Sequence, residues 1–212
     1  MKRITLSALL MTLFLLIGCN NGGAKEGAAI KADGSVIDLK KVSTDIENAV
    51  AFAADVKEVR TLVKSIDELA KAIGKKIQNA DTLGNDAGKN TALIAGVFSV
   101  TLDIVKKAKA LQIPGSIKEQ QDLTQKVNGV TTAAETFIKK LKSKTAELGV
   151  ADGATIDNNA KSAIDITDAT KDKGASDLIV LNTAIGALVD AADDAVKSAM
   201  AGLTTPKAEK TN

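Results

Sequence analysis

The chain of 212 residues contains one cysteine, Cys19, and no histidine, so a single thiol and a missing imidazole bound most of its chemistry. Cys19 stands in LLIGCNNGG, directly after an apolar run and directly before Asn and Gly. A lone cysteine can be a buried apolar filler, a reactive thiol, a metal ligand or a point of covalent attachment. Serines and threonines abound, but a hydroxyl nucleophile needs a base. Without histidine that base would be an unusually tuned lysine or carboxylate pair, for which no spacing argues. The reading is therefore not an enzyme, with no catalytic residue assigned. Asp190, Asp193 and Asp194 cluster near one end of the chain, and Asp152, Asp157 and Asp168 lie before them. None has the alternating ligand spacing and final Glu of a calcium loop, so they read as solvated carboxylates paired with lysines, with no metal or other cofactor. The segment GNDAGKNT, 84–91, falls short of a phosphate-binding loop. Gly84 and Gly88 enclose three residues instead of four, Asn90 separates Lys89 from Thr91, and no strand precedes them.

Lysine spacing offers binding chemistry. VKKAKA at 105–110 and IKKLKS at 138–143 each place two basic residues, a spacer and a third, a pattern associated with heparin. On a helix Lys106 and Lys109 share a face while Lys107 lies about 100° away, and Lys139, Lys142 and Lys140 repeat the arrangement. Lys139, Lys140, Lys142 and Lys144 form the candidate site for an anion or glycosaminoglycan. A competing role is electrostatic, since cations near a helix C-terminus stabilise its negative end by about 0.3–1 kcal/mol. If the two helices run antiparallel about Pro114-Gly115, the first cluster lies about 12 Å from the turn and the second about 36 Å from it. On that geometry they form no single patch within a subunit.

The residues around Cys19 decide among its roles. Met1, Lys2 and Arg3 give a positive start, and Ile4 to Ile17 are apolar except for two Thr and one Ser. Charge and length identify a secretory signal peptide, too short to span a bilayer, which takes about 20 apolar residues. Leu16-Ile17-Gly18-Cys19 closes it and resembles a bacterial lipobox, with Leu three places before the Cys and a small residue just before it; Ile17 replaces the commoner Ala or Ser. The expectation is cleavage between Gly18 and Cys19 and covalent lipid on Cys19. Each buried methylene is worth about 0.8 kcal/mol, so several acyl chains anchor far more firmly than one. Removing Lys2 and Arg3 with the signal brings the 28 basic residues level with the 26 acidic ones. A formally neutral chain without Tyr or Trp offers neither the field nor the stacking platform for nucleic acid. With no disulfide, the exported domain must rest on packing alone.

Four segments follow: signal peptide 1–18, a Gly- and Ala-rich tether 19–38 with a reach of roughly 25 Å, a helical domain 39–203 and a loose tail 204–212. Apolar residues at steps of three and four from Leu39 to Ile77 predict one very long N-terminal helix. NADTLGNDAG breaks it at 79–88. A second helix is expected over 89–113, stopped by Pro114-Gly115, and a third from an N-cap at Ser116 to Leu148. A fourth spans about 156–170 and a last one 175–202. Hairpin signals are nearly absent, so the fold class is all-α, an elongated bundle of about five helices. Apolar width around Phe52 suggests a self-associating helix face and hence a dimer.

ITLSALLMTLFLLIGCNN, VKEVRTLVKSIDELAKAIGKKI at 56–77, AETFIKKLKSKTAELG at 134–149 and TKDKGASDL at 170–178 resemble the variable small proteins of relapsing-fever Borrelia. They also resemble the related outer surface protein C of the Lyme disease species. The resemblance implies a lipoprotein on the outer membrane, exposed at the cell surface. It further implies a helical homodimer through the first long helix, with both termini near the membrane and 84–91 a variable loop at the far end, open to host antibodies. Roles implied are serotype-defining antigenic variation, immune evasion, tissue tropism and binding of a host glycosaminoglycan or plasma protein such as plasminogen. Where outer surface protein C has a cysteine ahead of its ETF motif, this chain has Ala133, which rules out that disulfide. The rival reading is a periplasm-facing lipoprotein scaffold or solute-binding component.

Overall fold

The computed structural model describes residues 28–30 and 36–203; the signal peptide, Gly18, Cys19 and the tail from 204 lie outside the described residues. The chain is mostly helical, with a long N-terminal helix, and divides into two compact units. The smaller comprises the described residues up to Glu47 together with those from Ser198 onward.

In the smaller unit β1 (Ala28–Ile30) pairs antiparallel with β2 (Val36–Asp38), in the register Ala29↔Ile37. The tether reading gave this stretch no such pairing. Helix α1 (Leu39–Ala70) begins directly after β2, and Asp38 caps it by accepting the Lys41 N–H at 2.9 Å, which satisfies one of the orphan donors of the first turn. Ile46 is buried. At the other end of the chain, helix α6 (Ala175–Ala201) finishes in a turn at Gly202, where an added Cβ would come within 3.6 Å of Val42. The described ends of the chain therefore meet.

The larger unit, Asn48–Lys197, holds the core. After α1 come the hairpin strands β3 (Lys75–Asn79) and β4 (Thr82–Asn85), then α2 (Thr91–Ala110) and α3 (Gln120–Ser143). A short α4 (Thr145–Leu148), a 3-10 turn (Ala151–Gly153) and α5 (Asp157–Ile164) lead into α6. Phe52, Val56, Val63 and Ile66 of α1, together with Ile104, Phe137, Leu181 and Leu188 of the later helices, are all 2% exposed or less. Each such side chain contributes about 1.5–3 kcal/mol over its exposed state. Lys57–Asp193 at 2.7 Å and Asn182–Asp67 at 3.3 Å set α1 and α6 antiparallel, so the chain enters and leaves this unit at one end. The hairpin, the start of α2 and the α4–α5 region lie at the opposite end.

Three helix boundaries and one hairpin differ from the sequence reading, each for a physical reason. Helix α1 stops at Ala70, not Ile77, because Gly74 takes a φ of 66° and its N–H donates to the Asn90 side chain at 2.8 Å. Residues 75–85 then form a hairpin in which Ile77, although spaced as a helix core residue, is 83% exposed opposite Leu83. Asn79 builds the turn by accepting from the Asp81 and Thr82 amides, an alternative that short polar side chains offer to helix. Ser116 caps nothing; its hydroxyl accepts from Asn48 at 3.3 Å, and α3 begins four residues later. Helix α5 ends at Ile164, since Asp165 accepts from the Thr167 amide and hydroxyl and Asp168 from the Thr170 amide, closing turns where helix was expected.

Candidate functional site

Steps of four and three put Glu135, Lys139 and Lys142 of α3 along one side of that helix, and α2 runs antiparallel beside them. Two contacts fix the register. Lys109 Nζ lies 2.7 Å from Glu135 Oε1, and Lys142 Nζ stands over the Phe98 ring, 5.6 Å from its centroid. A cation over an aromatic face is attracted by the ring quadrupole, which steadies the Lys142 ammonium without neutralising it. Lys109, at the end of α2, thus meets α3 about four turns after that helix begins. The antiparallel turn assumed at Pro114-Gly115 would have kept the two lysine clusters apart. The 111–119 connection is longer, and Lys109 sits one helical turn from Lys139.

The first cluster divides. Lys107 turns to Glu58 of α1 at 2.9 Å, and Lys109 turns to α3. In the second, Lys139, Lys140 and Lys142 hold no salt bridge among the described residues, and Lys139 and Lys142 are exposed while Lys140 is half-buried. Lys144 stands apart from them. It lies 3.8 Å from Glu147, in a network where Lys173 Nζ is 2.6 Å from Glu147 and 3.5 Å from Asp172, and Ser162 donates to Asp172 at 2.5 Å. The Glu147 hydrogen bond raises the Lys173 pKa, and the Ser162 hydroxyl lowers that of Asp172. This network ties the 165–174 loop to α4 and α5.

Glu135 was missing from the sequence reading. The signal for it was present, because a Glu four residues before a Lys on a helix face is a favourable pair. The hydrogen bond and charge of Lys109 hold its carboxyl below the usual carboxylate range, with Lys139 adding to the effect. What the stripe can do chemically is attract an extended anion along α3, through Lys139 and Lys142 and the Lys109 that Glu135 now engages.

The aspartates do structural work. Asp193 pairs with Lys57 and Asp194 with Lys197, both at 2.7 Å. Asp157 closes a seam under 84–91. It accepts from the Gly88 amide and the Asn90 side chain, each at 2.8 Å, while Asn90 also donates to the Thr155 carbonyl at 3.0 Å. Asn90 is 1% exposed. Rather than a free loop, 84–91 begins with the last two residues of β4 and is then tied to this seam, and only Asn85, Ala87 and Lys89 stay exposed.

Comparisons with known proteins place these features in a family. A model described as Lipoprotein matches residues 36–209. The chain is similar to outer surface protein C of Borreliella burgdorferi, at 40% identity over 97% of this chain and 96% of that protein. It is 42% identical to variable small protein 11 of Borrelia hermsii, over 97% and 98%. Among solved structures, variable small protein 1 of Borrelia turicatae matches with a TM-score of 0.71 and 50% identity, covering 77% of this chain and 98% of that one.

Proposed function

Since the chain belongs to this lipoprotein family, we propose that it is a spirochaetal outer-membrane lipoprotein, held by acyl chains on Cys19 and displayed at the cell surface as a serotype-defining variable antigen. The observation that carries the reading is a likeness running from the signal through Cys19 to the bundle, over 97% of the chain, to a protein named for the outer surface. Lipidation at Cys19, after cleavage from Gly18, anchors the end of the chain that leads into the smaller unit. The hairpin end of the larger unit, opposite its chain entry and exit, is then free to meet antibodies. Immune evasion follows from variation there, because Lys75 to Leu83 are all exposed and can change without disturbing the core.

Host contact is the second part of the function. Lys139, Lys140 and Lys142 on α3 bind an acidic host glycan, and Lys144 contributes less because Glu147 already engages it. Proteinase K applied to intact cells tests the display. The protein is expected to disappear while a periplasmic marker survives. Survival of both until the outer membrane is broken would move the protein to the periplasmic side and overturn the antigen reading.

A further inference from the structure

We infer that Glu135 is a built-in attenuator of anion binding on α3, a carboxylate that occupies Lys109 and shields Lys139, so that the two lysine clusters act as one surface only when it is displaced or neutralised. The inference rests on the glycan-binding reading and adds its regulation. Its basis is positional. Glu135 is the acidic member of the stripe that carries Lys139 and Lys142, and it is the residue through which α2 delivers a third cation to that stripe. Its ion pair with Lys109 leaves 58% of the Lys109 side chain and 39% of the Glu135 side chain exposed, so solvent screens it and an incoming anion can compete for the lysine. The neighbouring Lys142 has no carboxylate partner among the described residues and is steadied by Phe98 instead. A polyanion laid along α3 therefore meets the open Lys142 at one end, then Lys139 beside the Glu135 carboxylate, and at the other end a lysine already neutralised by Glu135. The ligand class this surface fits is a linear sulfated or carboxylated polymer, whose repeated charges can exchange with the Glu135 carboxylate.

Retention on immobilised heparin tests the inference with residues 19–212 carrying Cys19→Ser. Glu135→Gln keeps the side-chain shape and is expected to elute at higher salt than the parent. The dependence of log affinity on log salt should steepen by about one, as one more lysine engages. Glu68→Gln is the control, since it removes the same charge from α1, where Glu68 pairs with Lys71. Equal gains in both variants would reduce the effect to net charge and overturn the inference. In the Lys109→Ala background the gain from Glu135→Gln should shrink, and an undiminished gain would also count against it. If Lys139→Ala, Lys140→Ala and Lys142→Ala together abolish retention but Glu135→Gln changes nothing, the surface stands and the attenuator falls. Salt-independent retention, indifferent to all these changes, would remove the glycan-binding reading itself.

Discussion

Asp157 shows how much one carboxylate can organise. It opens α5, where the helix N-terminus favours negative charge, and it receives the Gly88 amide and the Asn90 side chain. Those two bonds, with the Gly88 amide first, hold its pKa below the usual carboxylate range against the opposing effect of desolvation. A depressed folded-state pKa means that the unfolded chain takes up the proton first as pH falls. The stabilisation is therefore complete above the ordinary aspartate range near 4, and it is lost as pH drops through the lower folded value. Asp157→Ala should cost about 1–3 kcal/mol at neutral pH, since it orphans two donors, one of them on a fully buried side chain. Asp157→Asn keeps an acceptor and should cost less. Urea unfolding at pH 7 and pH 3 checks the sign. The gap between the parent and Asp157→Asn should narrow at the lower pH, and a gap that widens would mean that the seam does not depend on the charge.

At the scale of elements, what the sequence made legible was the helical periodicity. Buried positions such as Val56, Val63 and Ile66, or Val130, Phe137 and Leu141, fall where steps of three and four put them. Helix ends were harder, because they are decided by contacts far away in sequence. Gly74 turns because Asn90 receives its amide, and no local pattern announces a partner sixteen residues on. The lysine site was half legible for the same reason. Lys139 and Lys142 could be placed on one face, but their pairing with α2 depends on a register that only packing sets. The 165–174 loop offers a test of such packing. Gly174 has a φ of 153°, and an added Cβ would come within 2.8 Å of the Ala163 carbonyl and 2.9 Å of Phe137. Gly174→Ala should destabilise by about 2–4 kcal/mol, combining backbone strain with overpacking. Gly186 lies in the middle of α6, where an added Cβ meets nothing within 4 Å. Gly186→Ala should stabilise by about 0.5–1 kcal/mol, as alanine does in a helix interior. Opposite shifts of the urea midpoint, with an unchanged slope, would bear out the close packing at Gly174 and the open space at Gly186.

For the whole molecule, the proposed function depends on separating an anchor from a display surface, and the sequence divides along that line. The apolar run and the only thiol precede residue 20, while the hairpin and the lysine stripe belong to the larger unit. Cys19→Ser should then free the protein from the membrane without unfolding it, because the buried apolar residues among the described ones begin at Ile46. Detergent phase separation checks this. The parent should enter the detergent phase and the variant the aqueous phase, with the same helical circular dichroism. That soluble protein also reports on self-association: Phe52, around which the sequence suggested a self-associating face on the first long helix, is only 1% exposed, and we propose a dimer through a different face. The solvent face of α2 from Ala92 through Ala95, Gly96 and Ser99 to Leu102 carries no charge, whereas α1 exposes Asp55, Lys57, Glu58 and Lys64. An uncharged face of small residues lets a second backbone approach closely, and a homodimer through it would shelter Leu102, now 47% exposed. Sedimentation of residues 19–212 with Cys19→Ser should give a dimer in the micromolar range, weakened when Ala95→Glu places charge on that face. A species that stays monomeric at high micromolar concentration would overturn the dimer proposed for this face.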